Sequence, residues 1–268
     1  MSVPSRSNAT HEDERRTDVV VFYLNLARRK DRRDRFLAAN ATIARFHRWE
    51  AIDGSTLHVD ELVRRGLLAE PLEAYTRGAL GCALSHKGLW DHCAAGNTAI
   101  TVCEDDAIFN RHFARRAETV LAALPNNWDI ILWGWNFDAI LHVDLIPGMK
   151  QAVVQFDAAA LADRSCEFQE KAYEILPMRL VTAFGTICYS LSPHGARSLG
   201  ERCFPLRNEF IPIAGMGRQL MNFGIDTIMN KHYSALQSYV SFPPLVWTDN
   251  DKSTSDVGSP DPSQRRIE

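Results

Sequence analysis

From residue 19 to residue 248 the chain alternates short apolar runs with segments whose apolar residues recur every three or four positions. VVVFYLNL (Val19–Leu26) is a continuous apolar run of strand length and reads as a buried strand. RRKDRRDRFLAAN follows as a helix with Asn40 near its end. FHRWEAI is a second strand candidate, closed by the Asp53-Gly54 turn signal. ALGCALSHKGLWDHCAAG has helical character and stops at Gly96. AITVCE is a third strand, RHFARRAETVLAAL a helix closed by Pro125, and DIILWGW (Asp129–Trp135) a fourth strand. In WGWNF, Trp133, Trp135 and Phe137 fall at period two and are expected on one strand face, as core or as a platform for a sugar ring. TAFGTICYSLS (Thr182–Ser192) returns to strand character, and Pro193 suits the first turn of the helix HGARSLGERC. GIDTIMNKHY is a short helix and FPPLVW an extended segment.

This β-α-β-α order predicts an α/β fold, a Rossmann-like, mainly parallel sheet with helices on both faces. Residues 18–248 form one domain in this reading. Residues 136–180 are less regular and are expected as an acceptor-side insertion over the site. Residues 1–17 are expected to be a disordered N-terminal tail, and residues 249–268, rich in Pro and Ser, a polar C-terminal tail.

In a parallel sheet ligands bind at the carboxyl ends of strands. Three predicted strand ends carry candidate chemistry. Asn25 leads into six basic side chains between Arg28 and Arg35, which read as an anion clamp or as a solvated charged face. Asp53-Gly54 ends the second strand. The third strand, in ITVCEDDAIF, runs into Glu104, Asp105 and Asp106. Adjacent like charges raise one another's pKa. Carboxylates two apart at a strand end chelate a hard divalent ion such as Mg²⁺ or Mn²⁺; the alternative is an acidic loop capping the next helix. On the helix between, Cys82, Ser85, His86, Leu89 and Cys93 share a face. His86 there is a substrate contact or a satisfied core histidine. Asp226 opens a short helix as an N-cap or as a general base, and His232 is a weaker candidate metal ligand.

Composition narrows the function. A net charge of −3 argues against a general nucleic-acid binder. The six cysteines lack close CxxC pairs and read as free, mostly buried thiols of a reducing compartment. No window approaches the ~20 apolar residues of a membrane span. A cytoplasmic protein is expected, with peripheral membrane contact at most.

FYLNLARRKDRRDRF, AIDG, LGCALSHKGLW, ITVCEDDAIF, TAFGTICYSLSPHGARSL, GIDTIM and PPLVWTDNDKSTSDVG, in this order, resemble glycosyltransferase family 25, which includes bacterial lipooligosaccharide and animal collagen galactosyltransferases. The resemblance implies a GT-A type fold and an inverting transfer of a hexose, commonly galactose, from a UDP-sugar donor. It also implies a divalent cation, typically Mn²⁺ (or Mg²⁺), and a glycan acceptor such as lipopolysaccharide or lipooligosaccharide. By resemblance, Glu104 and Asp106 hold the metal. Asn25, Arg29, Arg32, Asp53, Gly54, Gly81, Ser85, His86 and Asp105 contact the donor, and Asp226 is the catalytic base. The basic C-terminal extension of several bacterial members, and the secretory signal and second domain of the collagen enzymes, have no counterpart in the sequence. A single-domain, bacterial-type enzyme at the inner leaflet, or acting on a soluble acceptor, is therefore expected. Two other readings stay open: a metal-dependent phosphohydrolase using the same acids, and a non-catalytic nucleotide-sugar-binding module.

Overall fold

The computed structural model describes residues 20–40, 42–157, 164–249 and 256–258. The expected N-terminal tail and most of the C-terminal one lie outside these residues. In chain order the elements are β1 (Val20–Asn25), α1 (Lys30–Asn40), β2 (Arg45–Glu50), α2 (Val59–Arg64), α3 (Arg77–Ala95), β3 (Ile100–Glu104) and β4 (Ile108–Phe109). There follow α4 (Phe113–Ala123), β5 (Ile130–Gly134), β6 (Leu141–Ile146), β7 (Lys150–Val154), α5 (Ser165–Glu170), β8 (Leu176–Thr182) and β9 (Cys188–Leu191). The last are α6 (Pro193–Cys203), β10 (Phe210–Ile213), β11 (Arg218–Met221), α7 (Ile225–Asn230), β12 (Ser238–Phe242) and β13 (Val246–Trp247).

Helix ends follow their local chemistry. Thr76 caps α3 by accepting from the Ala79 amide at 3.0 Å, and Gly96 ends it. Ser192 caps α6 by accepting from the Gly195 amide at 3.0 Å, with Pro193 in the first turn.

Nine strands form one sheet in the order β2-β1-β3-β9-β5-β12-β8-β6-β7. The parallel βαβ start is as expected: β1 pairs in parallel with β2 and β3. The expectation of a mainly parallel sheet is corrected. Beyond that start only β5 and β12 run in parallel, and five of the eight pairings are antiparallel. Apolar periodicity marks a strand without marking its direction. β9 enters from far downstream between β3 and β5, which reverses the pattern at the centre of the sheet.

Helices cover both faces. Side chains of α3, α6 and α7 pack with Leu24, Val102 and Leu132 on one face; those of α1 and α4 pack with Val21, Cys103 and Ile131 on the other. The shared face expected for Trp133 and Trp135 is corrected: Trp133 lies with Phe113 on the α4 side, and Trp135 lies in the opposite cluster with Phe137. A bulge in β5 between Leu132 and Gly134 sets two residues against one of β9 and inverts the alternation. The described residues of 136–180 supply β6, β7 and β8 at one end of the sheet, and none of those described lines the cavity described below. All six cysteines are free; four are buried and Cys166 is exposed. Among the described residues no helix is long and apolar enough to cross a membrane.

Candidate active site

At the carboxyl ends of β1 and β3 lies a cavity of about 240 Å³. Arg28, Arg32, Asp53, Gly54, Cys82, Ser85, Glu104, Asp105, Asp106 and Asp256 are among its lining residues. Three predicted strand ends therefore converge, as the topology of a parallel start requires.

The acidic triplet does not cap the next helix: the N-cap of α4 is His112. Its three carboxylates are held differently. Asp105 accepts from Asn25 Nδ2 at 2.6 Å and from Arg32 Nε at 2.7 Å, which pins it facing α1. Asn25 is buried and does not line the cavity; it also accepts from Arg48 Nε at 3.1 Å, so it positions Asp105 and not a ligand directly. Asp106 meets Arg32 at 3.2 Å and keeps 38% of its side chain exposed. Glu104 accepts from Thr186 Oγ1 at 2.6 Å. Burial and the Asp106 charge push the Glu104 carboxyl up to about 7, against the weaker pull of the Thr186 hydrogen bond and Arg32. Burial raises Asp106 too, with Arg32 opposing.

The basic segment separates residue by residue. Arg32 lines the cavity with only 12% of its side chain exposed, and its proton is held more tightly because Asp105 and Asp106 outweigh its burial. Arg29 does not line the cavity; it pairs with Asp31 at 3.0 Å and with Asp256. Arg28 does line it, donating to Asp53 at 2.8 Å and to Asp256 at 2.8 Å. Arg35 pairs with Asp31 at 3.4 Å on the exposed face. α1 begins only at Lys30, so Arg28 and Arg29 sit in the preceding loop, outside the helix expected to include them.

Asp53 caps a short turn by accepting from the Ser55 amide at 3.0 Å, and Arg28 pulls its carboxyl down to about 2. Gly54 and Gly81 explain each other. A Cβ on Gly54 would lie 1.7 Å from the Arg77 carbonyl oxygen, and one on Gly81 would lie 2.5 Å from the Ile52 carbonyl oxygen. The Ser85 hydroxyl accepts from the Ile52 amide at 2.8 Å and ties the same loop to α3. Gly81 and Ser85 thus shape the wall that Asp53 and Gly54 present.

Three predicted residues stand apart. His86 is fully buried beneath the cavity, with Nδ1 2.8 Å from the Tyr189 hydroxyl and Nε2 3.9 Å from Glu104 Oε1. Burial pulls its pKa down to about 3, so the ring is neutral. Asp226 does not line the cavity; it accepts from the Gly185 amide at 2.9 Å and the Thr227 amide at 2.8 Å. Burial raises its pKa, and its charge, after that of Glu104, adds to the upward push of burial on the Cys82 thiol. His232 is buried, with its own pKa lowered by burial, and does not line the cavity. Sequence reasoning missed Thr186 and Tyr189, which bind site residues from across the sheet, and Asp256 and Val257. The latter pair comes from the expected C-terminal tail, and Val257 accepts from the Thr76 hydroxyl. Each of these residues has its partner 82 or more positions away in the chain, beyond the reach of local patterning.

The donor set fits a divalent cation. Three carboxylates crowd one buried guanidinium, and the two not pinned by Asn25 both carry raised pKa values, burial being the largest cause in each. Cys82, His86 and Glu104 also offer ligand atoms within 4.8 Å of one another.

Residues 19–213 match the family described as glycosyltransferase family 25 (LPS biosynthesis protein). The chain belongs to glycosyltransferase family 25. Among its family 25 relatives is the mouse protein named inactive glycosyltransferase 25 family member 3, which is 29% identical over 214 residues, 72% of this chain and 31% of the relative. Procollagen galactosyltransferase 1-A of Xenopus laevis is 33% identical over 147 residues, 50% of this chain and 24% of the relative. Human procollagen galactosyltransferase 2 is 32% identical over 133 residues, 42% of this chain and 20% of the relative. The chain thus spans less than a third of the length of these family members.

Proposed function

We propose that the chain is a metal-dependent, inverting hexosyltransferase of GT-A type. It moves galactose, in this reading, from a UDP-sugar to a hydroxyl of a glycan acceptor such as lipooligosaccharide. The observation that carries the reading is the meeting of Glu104 and Asp106 with Arg28 and Arg32 around one cavity at the ends of β1 and β3. Paired acids suit a hard cation, and the arginines suit phosphate oxygens.

Glu104 and Asp106 hold Mn²⁺ or Mg²⁺, with Asp105 kept in place by Asn25 and Arg32. The bound ion supplies charge stabilisation for a leaving diphosphate. Arg32 remains charged beside the acids and meets the negative charge that grows on the diphosphate as the sugar–phosphate bond breaks. Gly54 and Gly81 let the 52–54 backbone approach α3 and leave room for the nucleotide. The acceptor oxygen forms its new bond to the anomeric carbon on the face opposite the breaking one. Its proton passes to the Asp226 carboxylate, which lies outside the donor cavity, on the acceptor side in this reading, and whose raised pKa makes it a stronger base than a solvated aspartate.

The test is thermal melting with a panel of nucleotide sugars, with and without Mn²⁺, alongside an assay for released UDP. A ligand at a hundredfold over its Kd adds ~2.7 kcal/mol. The expected result is a Mn²⁺-dependent shift with UDP-galactose that Asp106→Ala abolishes. No shift with any UDP-sugar overturns the reading. A second reading is favoured by the names of several relatives as inactive members: a non-catalytic nucleotide-sugar-binding module. It predicts the shift without UDP release in the presence of any acceptor.

A further inference from the structure

Beneath the cavity floor, α3 and β9 share a buried polar chain that the proposed mechanism leaves unused. The Tyr189 hydroxyl is fully buried and has two neighbours, Trp90 Nε1 at 2.8 Å and His86 Nδ1 at 2.8 Å. An indole N–H only donates, so the phenol oxygen accepts from Trp90. The phenol has one proton of its own to place. Among the described residues its remaining partner is His86 Nδ1. Were Nδ1 protonated, the phenol oxygen would face two donors and its own proton would be buried without an acceptor. That would leave a buried donor with its full desolvation penalty unmet. Tyr189 therefore donates to Nδ1, and the neutral ring carries its proton on Nε2. Nε2 is buried, has no hydrogen-bond partner among the described residues, and lies 3.9 Å from Glu104 Oε1.

We propose that Trp90 and Tyr189 lock His86 in the Nε2–H tautomer, and that this N–H is a positioning donor for Glu104. Thr186 Oγ1 approaches the same oxygen, Oε1, at 2.6 Å. An approach of about 1 Å brings Nε2 and Oε1 into hydrogen-bond range. With Oε1 claimed by two core donors, Oε2 is the oxygen left for a cation. The lock also withholds the Nε2 lone pair, so Cys82, His86 and Glu104 do not act together as a ligand set for a softer ion such as Zn²⁺. The positioning role rests on the transferase reading; the tautomer does not.

The experiment is ¹⁵N NMR of the full chain labelled at histidine, with Mn²⁺ affinity measured by titration followed by electron paramagnetic resonance. For His86 we expect a protonated Nε2 and an unprotonated Nδ1 from pH 5.5 to 8. His86→Asn removes the donor at the Nε2 position and should weaken Mn²⁺ binding about 10–100-fold, the usual cost of losing a group that orients a ligand. His86→Gln restores an N–H there and should recover most of that loss. A protonated Nδ1 in the wild type overturns the proposal and makes Nε2 a candidate cation ligand beside Cys82. Equal Mn²⁺ affinity in His86→Asn and wild type removes the positioning role. A wild type that shows the Nε2–H resonance but takes up no Mn²⁺ sinks the transferase reading and supports the lock alone.

Discussion

Glu104→Gln should make the metal-free protein more stable at neutral pH. Glu104 stands in the cavity floor with its carboxyl pushed from 4.5 up to about 7, burial being the larger cause and the Asp106 charge the next. The folded state therefore binds this proton more tightly than the unfolded chain. The sign follows from linkage: where the native state binds more protons, stability falls as pH rises. The loss begins near pH 4.5, is complete just above pH 7, and persists at higher pH. At ~1.4 kcal/mol per pH step it amounts to ~3 kcal/mol. That figure is an upper bound, because the side chain keeps 28% exposure and cavity water screens its charge. A glutamine carries no charge at any pH, and its carbonyl can accept the Thr186 hydrogen bond of 2.6 Å. In a chelator, the variant should melt a few degrees, and up to about 10 °C, above wild type at pH 8. The gap should close as the pH is lowered to 4.5. Added Mn²⁺ should raise the melting point of wild type and leave the variant where it was. A variant melting at or below wild type at pH 8 would refute the reasoning, since Glu104 would then be compensated in the empty protein.

Asn25→Ala takes a 2.6 Å hydrogen bond from Asp105 and one of 3.1 Å from Arg48. It should cost about 1–3 kcal/mol in urea denaturation; no cost would mean that Arg32 alone holds Asp105. Gly81→Ala places a Cβ 2.5 Å from the Ile52 carbonyl oxygen, a backbone atom that cannot swing aside. It should destabilise by roughly 1–3 kcal/mol and weaken UDP binding in calorimetry, and an unchanged UDP affinity would separate the Asp53–Gly54 turn from the donor. Asp226→Asn should cut transfer by about 10²–10⁴-fold while UDP binding is kept. A parallel loss of UDP binding would move Asp226 from proton transfer to donor contact.

Much of this was legible in the chain because it is local. The run VVVFYLNL, the Gly96 stop, Pro193 in a first helical turn, the Asp53-Gly54 turn and the strand that ends in three acids all follow from periodicity and backbone chemistry within a few residues. The βαβ start places Asn25 and Glu104 at the same sheet edge, so the position of the cavity was readable too. What each acid does there was not. Glu104, Asp105 and Asp106 are neighbours in sequence, yet they differ because Thr186, Asn25 and Arg32 reach them from three other elements. Strand direction was invisible as well, since β9 pairs antiparallel inside a sheet whose first strands are parallel. So was the bulge that separates Trp133 from Trp135. Periodicity records which face of an element is apolar, a property of nearby residues. Charge state, hydrogen-bond partner and register depend on atoms brought close by folding. The sequence by itself therefore determined the strands and helices that frame the site, the end of the sheet where it lies and the residue types it offers. Tertiary packing alone decided which carboxylate is pinned by Asn25, which keeps an exposed side chain at the cavity, and which nitrogen of His86 meets the Tyr189 hydroxyl.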